Sequence, residues 1–520
     1  MLAKILSATV VGVDALPVSV EVDVGPGLPC FAIVGLPDAG VQEARERVRS
    51  AIRNSGFQMP PRRTVVNLAP GDRRKVGPAF DLPIALGILV ATGQLDTHAL
   101  DGYVATGELA LDGSLRPVTG VLAIAQAAAA WRSRGLLLPA ANAFEAAVVA
   151  EVNAYAMQSL DTTVRHLTGS APVPAARALH ASPGAAASVA DIDVSSSADG
   201  SATPAANAPD LGDVRGQAAA RRALEIAAAG SLNLLLVGPP GTGKTMLARR
   251  LPTILPPLAK DEAVEVTKIY SVAGRLRTFT GLLTERPFRA PHHTATAASI
   301  IGSGVPGRAG EITLAHHGVL FLDELPEFRH DVLEGLRQPL EDGAVTIARS
   351  QRTIRYPARF ALVGAMNPCP CGYRGDSQRE CTCTPASVQR YLARLSGPLI
   401  DRIDLHIEVA RPSSDEILAG PPGEPSARVR ARVIAARVRR SARPLPARDS
   451  TAAVSVDAVS LLRRASARGL LGARAMHRVL RVARTIADLD AADDVLAHHV
   501  AEALRYRVLD REAGRLDTVC

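Results

Sequence analysis

The stretch Asn233 to Arg250, NLLLVGPPGTGKTMLARR, sets a lysine and a hydroxyl directly behind a glycine loop. Leu234 to Val237 is an apolar run of strand length, and a helix pattern restarts at Lys244. Between them lie Gly238, Pro239, Pro240, Gly241, Thr242 and Gly243. Glycine tolerates the φ angles that let successive backbone N–H groups wrap phosphate oxygens. The helix N-terminus, with Lys244, Thr245 and Met246 in its first turn, adds partial positive charge. Lys244 can reach the β- and γ-phosphates, and Thr245 can ligate Mg²⁺. The chemistry expected is binding of a nucleoside triphosphate, ATP, with its magnesium ion.

A second apolar run, Gly318 to Glu324 (GVLFLDE), ends in two acids. Asp323 is placed to hold Mg²⁺ and Glu324 to polarise an attacking water. A third, Phe360 to Asn367 (FALVGAMN), ends in an amide that can orient that water. Arg402 lies in SGPLIDRIDL, Ser396 to Leu405, with Asp401 and Asp404 beside it. It is either an intrachain ion pair or an arginine finger aimed into a neighbouring subunit. A fixed cation on a transferring phosphoryl group contributes ~10³–10⁵ in rate. Arg474 stands near the start of a helical pattern, Gly472 to Leu489, from which it could touch the same γ-phosphate.

These residues need elements to position them. A chain of 520 residues holds roughly three or four domains. Residues 1–168 form a first α/β unit, in which Val18, Val20, Val22 and Val24 alternate with polar residues as a half-buried strand does. Residues 169–210, rich in Ala, Ser, Pro and Gly, form a flexible linker. The nucleotide-binding core spans 211–410. Residues 411–520, Arg-rich with Ala/Val/Leu periodicity, form a helical lid. The longest apolar run, Leu82 to Thr92, is far short of the ~20 residues a membrane span requires. No signal peptide is evident, and six cysteines in a chain this long do not make a disulfide framework, so a cytoplasmic location is expected. The net charge of +8 permits a nucleic-acid partner, while 3% aromatics argues against a base-stacking single-strand binder.

The motif series resembles the AAA+ ATPases, and within them the magnesium-chelatase-like ComM/YifB family. The matching residues are GPPGTGKTMLARRLP, RAPHHTATAASIIG, GEITLAHHGVLFLDELPEF (Gly310 to Phe328), GAMNPCPCG, SGPLIDRIDL and VARTIADL. The resemblance implies an α/β fold, an AAA+ P-loop core with a helical lid. It also implies a hexameric DNA helicase or translocase promoting branch migration in natural transformation, working beside recombination proteins. The alternative is a chelatase-type ATPase that remodels a protein partner and binds no nucleic acid. Residues 71–122 resemble the proteolytic domain of Lon, carried by KVGPAFDLPIALGIL and GELALDGSLRPVTGVLAIAQAA. At the positions of Lon's serine–lysine dyad stand Ala79 and Leu122. A dyad needs a hydroxyl and an amine, so no peptidase activity is expected. Arg62, Arg63, Arg73, Arg74 and Lys75 give this unit a basic stretch, explained equally well as a solvated loop.

Two segments are candidates for touching DNA. Val345 to Pro357 (VTIARSQRTIRYP) has the pattern of a hairpin, with Arg349 and Arg352 near its tip and Arg355 behind them. In the related helicases a hairpin at this place enters the central pore; a solvated hairpin is the alternative. The other segment, Thr284 to Gly307, holds Arg286, Arg289, His292 and His293. The pairs His292/His293 and His316/His317 suggest metal, but adjacent side chains of an extended chain diverge, so packing roles are expected. Cys369, Cys371, Cys381 and Cys383 form C-x-C-x₉-C-x-C, four soft ligands that suit tetrahedral Zn²⁺. Free thiols or a redox switch are the alternatives.

Overall fold

Alternation of valine with polar residues builds the strand Asp14–Gly25, and Val18, Val20 and Val22 are fully buried along one face. In the computed structural model this strand lies in an eight-stranded mixed sheet. The sheet order is Ala175–Ala176, Ala154–Met157, Gly135–Pro139, Tyr103–Ala105, Leu2–Val11, Asp14–Gly25, Arg63–Ala69 and Cys30–Val34. The structure describes residues 2–176, 209–276, 281–303, 309–349, 352–376, 378–443, 454–467 and 472–507, with the backbone alone at Arg349 and Arg352. Most of the expected linker lies outside the described residues.

The apolar run beginning at Leu82 is a helix, Asp81–Ala91, with every residue buried. It packs on the two longest strands and carries a buried carboxylate at its start. Asp81 accepts two hydrogen bonds from Arg47, at 2.6 and 3.1 Å, and one from the Leu109 N–H at 3.2 Å. A buried charge so paired is compensated rather than orphaned. Ala79 and Leu122 share one apolar cluster with Val104, Val118 and Val121. Neither a hydroxyl nor an amine stands at those two positions. Lys75 departs from the expected basic stretch: it is fully buried, and its ammonium donates to the Pro70 carbonyl.

The second sheet has five strands in the order Phe288–Arg289, Val319–Leu322, Ala361–Met366, Leu234–Val237 and Leu405–Glu408. All neighbours run parallel. Parallel strands covered on both faces are apolar throughout rather than alternating, and Leu234–Val237 and Val319–Leu322 are buried at every position. One strand, Ala361–Met366, is wedged between these two. All three carboxyl ends therefore open on the same edge of the sheet. The helices Ser426–Ala442, Val456–Ala467, Ala473–Leu489 and Ala497–Arg505 share one apolar core with Ala218–Gly230 and Lys244–Ile254. Among the described residues no helix is long and apolar enough to cross a membrane.

The two sheet units meet through the helix Lys260–Val272. Ser271 donates its hydroxyl to Glu145, and its carbonyl accepts the Gly120 N–H at 3.1 Å. Glu145 also accepts the Leu122 N–H at 3.1 Å and the Asn142 amide at 3.3 Å. Burial pushes its carboxyl above the ordinary range, opposed by the bond from Ser271. Lys268 pairs with Asp14 at 2.7 Å. The tight turn at Gly12 and Val13 leans on the second unit: a Cβ at Gly12 would sit 2.9 Å from the Ile354 Cγ2, and Val13 packs against two of its apolar clusters.

Candidate nucleotide site

The glycine loop follows the strand Leu234–Val237 and feeds the helix Lys244–Ile254, as its spacing predicts. Gly241 and Gly243 have φ of +77° and +86°, a region that side-chain-bearing residues enter at a cost. Thr242 is buried and donates to the Pro239 carbonyl at 3.0 Å, locking the loop. Pro240 and Met246 are exposed at its rim. The Lys244 ammonium sits in the mouth, donating to Gly238 O at 2.6 Å, Pro239 O at 2.9 Å and Asn367 Oδ1 at 3.2 Å. Burial lowers its pKa, and the nearby Asp323 and Glu324 oppose that. The wedge strand thus delivers Asn367 to within hydrogen-bonding distance of the loop lysine.

Thr245 Oγ1 donates to Asp323 Oδ2 at 2.6 Å. A hydroxyl and a carboxylate side by side are hard oxygen donors. They fit Mg²⁺, which takes one or two protein ligands and keeps its waters. The donor set and the loop together fit a nucleoside triphosphate with its metal. Glu324 follows with φ of +53°, left-handed backbone that few residues other than glycine adopt. Its carboxylate stands 3.1 Å from His293 Nδ1. His293 was not among the catalytic candidates. It lies far upstream in sequence, and only the parallel pairing of Phe288 with Val319 brings the two strand exits together.

Arg402 and Arg474 are not at this loop. Arg402 pairs with Glu341 at 2.6 Å and donates to the Pro398 carbonyl at 2.7 Å. The neighbouring acid Asp404 instead takes Arg478 at 2.8 Å and the Asn233 N–H at 2.9 Å. Arg402 and Arg474 line one cavity of about 400 Å³ together with Arg478, Arg481, Glu341 and Asp401. No residue of the glycine loop lines it. Its arginines outnumber its acids, which suits an anion. Arg478 and Arg481 were missed because, one turn apart in an arginine-rich helix, they carry no local signature.

The hairpin is present: Ala344–Arg349 pairs antiparallel with Arg352–Pro357, with Arg349 opposite Arg352. Ser350 and Gln351 and the side chains of Arg349 and Arg352 lie outside the described residues; Arg355 is exposed. The second DNA candidate does not offer its arginines. Arg289 is buried against Glu311 at 2.6 and 3.1 Å, and Arg286 donates to Pro256 O, His317 O and Glu262.

The histidine pairs do not diverge. The rings of His316 and His317 lie 4.0 Å apart, because His317 adopts φ of +55° and both turn onto Glu265. A metal still finds no ligand in His316. Its Nδ1 accepts the Arg359 N–H at 3.0 Å, so Nε2 carries the proton and donates to Glu265. Burial lowers its pKa to about 4, with Glu265 opposing. An unfolded chain protonates this ring near ~6.5. Between those values the unfolded state binds more protons, so stability is full above the upper value and falls as pH drops towards the lower. The His316→Asn variant, whose Oδ1 can accept the same N–H, is expected to lose less stability across that window than wild type. Denaturant midpoints measured along the window check it; equal losses would refute it.

Cys369, Cys371, Cys381 and Cys383 converge, with all four sulfurs within 4.8 Å of one another.

Three family models cover most of the chain: "Magnesium chelatase, subunit ChlI" over residues 210–417, "Subunit ChlI of Mg-chelatase" over 20–142, and "Magnesium chelatase, subunit ChlI C-terminal" over 423–507. The competence protein ComM of Haemophilus influenzae is 43% identical across 100% of both chains. The YifB protein of Salmonella typhimurium is 42% identical across 98% of each. The magnesium-chelatase 38 kDa subunit of Rhodobacter capsulatus is 26% identical over 35% of this chain and 50% of its own. A glycine loop, two acids and an asparagine on one parallel sheet, with full-length identity of this degree, place the chain in the magnesium-chelatase-like ComM/YifB family of AAA+ proteins.

Proposed function

We propose that this protein is an ATP hydrolase that works as a hexameric ring and moves branched DNA, promoting branch migration and strand displacement during recombination. The observation that carries the ring is the separation of Arg402 and Arg474 from the glycine loop of their own chain. A second copy would bring that arginine cavity to the first copy's γ-phosphate. Residues 211–410 would be the motor core and the helices of 411–520 its lid. Residues 1–168 would be a Lon-like fold without peptidase chemistry, and 169–210 the linker.

Within the site, Thr245 and Asp323 would hold Mg²⁺, which when bound would supply positive charge against the phosphates. Lys244 binds the β- and γ-phosphates. Asn367 orients the lytic water, and Glu324 accepts its proton. The competence name of the Haemophilus relative and the hairpin bearing Arg349, Arg352 and Arg355 support DNA as the partner. The protein would then act in the cytoplasm beside recombination proteins. The match to magnesium-chelatase models favours a second reading, a remodeller of a protein partner without nucleic acid.

The test is movement of labelled strands on forked and four-way DNA with ATP. Wild type is expected to move them, and charge reversal at the three hairpin arginines to stop it and to flatten the salt dependence of binding. ATP turnover without movement on any substrate would overturn the DNA reading and favour the remodeller.

A further inference from the structure

We propose that Cys369, Cys371, Cys381 and Cys383 hold a tetrahedral Zn²⁺, and that the knot so formed braces the glycine loop. The site stands whichever partner the motor acts on.

The sulfur separations carry the metal. Cys369 and Cys371 lie 3.4 Å apart, Cys371 and Cys381 3.6 Å, and Cys369 and Cys381 3.7 Å. A zinc ion bound by four thiolates at ~2.3 Å sets its ligands ~3.8 Å apart along the edges of a tetrahedron. Disulfide sulfurs stand ~2.05 Å apart, and these four cysteines are all free. Backbone donors already point at the sulfurs: the Cys371 N–H donates to Cys383 Sγ at 3.4 Å, and the Cys383 N–H to Cys381 Sγ at 3.5 Å. Such outer hydrogen bonds favour the thiolate that a metal requires. Binding releases four thiol protons to solvent and leaves a dianionic centre. The Arg379 guanidinium, stacked 4.2 Å over the Tyr373 ring, is a nearby cation on the loop the ion would close.

The position of the knot carries its role. Cys369 follows Asn367 by two residues, at the exit of the wedge strand. The loop then turns at Gly372, whose φ is +88°. A Cβ there would stand 2.9 Å from two ring carbons of Pro240, at the apex of the glycine loop. Beyond it Asp376 pairs with Arg411 at 3.0 Å, and Arg411 reaches the Pro240 carbonyl at 3.4 Å. The knot therefore presses on the phosphate loop from one side while anchoring Asn367 from the other. Losing the metal would loosen both together and weaken ATP binding.

Metal analysis of full-length protein, purified without chelator, tests the site. About one zinc per chain is expected; less than a tenth would overturn it. Cobalt(II) in its place should give the intense absorption of a tetrahedral thiolate centre, and a weak octahedral spectrum would overturn the geometry. The Cys381→Ser variant should lose the metal and Cys30→Ser, at an exposed cysteine outside the cluster, should retain it. If Cys381→Ser fails to fold, stripping wild type with a strong chelator replaces it. The brace is read by the Kd of a fluorescent ATP analogue before and after stripping. A severalfold rise, reversed by zinc, is expected; an unchanged Kd would overturn the brace.

Discussion

Glu324→Gln subunits are expected to bind ATP as wild type does and to turn it over ~10²–10⁴ times more slowly, the loss that follows removal of a general base. The substitution keeps the side-chain length and a group able to meet His293, now 3.1 Å away. It leaves the loop, Lys244 and the Thr245–Asp323 pair untouched. Only proton acceptance is lost. Paired measurements of nucleotide Kd and single-turnover hydrolysis separate the two effects. Wild-type turnover by the variant would remove Glu324 from the chemistry. A matching loss of ATP affinity would show instead that the carboxylate holds the metal.

The second large effect concerns the arginine cavity. Arg402→Ala is expected to cost ~10³–10⁵ in turnover if its guanidinium reaches a neighbour's γ-phosphate. Lys244→Ala is expected to be equally silent for another reason, since it cannot hold the nucleotide. Mixed in one preparation, the two dead proteins should regain activity. At some interfaces the intact loop of one faces the intact arginine of the other. Neither defect could be rescued that way if Arg402 served its own chain. The pair with Glu341 at 2.6 Å adds a requirement: that contact must open, or turn with its helix, before Arg402 meets a phosphate.

What was legible in the sequence was what is local. The glycine loop and the two acids after Leu322 announce themselves because strand, turn and helix follow one another without interruption. The valines of Asp14–Gly25 did so through alternation. Pairings between distant strands were not legible, and with them went His293. Arginines were the poorest guide. Arg286, Arg289 and Arg402 give no sign in their neighbouring residues of the acids that the fold sets against them, Glu262, Glu311 and Glu341. Lys75 is buried for the same reason. The pair His316/His317 misled through backbone geometry: a single left-handed residue, His317, folds together two rings that an extended chain would splay.

The turn at Gly12 and Val13 bears on how this chain can be divided. It rests on Ile354, one residue before Arg355, while Val13 fills apolar space belonging to the second unit. Cutting the chain near residue 210 to isolate the motor would uncover that space and leave Ser271 without its carboxylate acceptor. The amputated half would be sticky where the intact molecule is sealed. The hairpin would also lose its backstop. The first residues of the chain are therefore part of what holds the second unit in shape, and failures of a trimmed protein should be ascribed to the cut before they are ascribed to its chemistry.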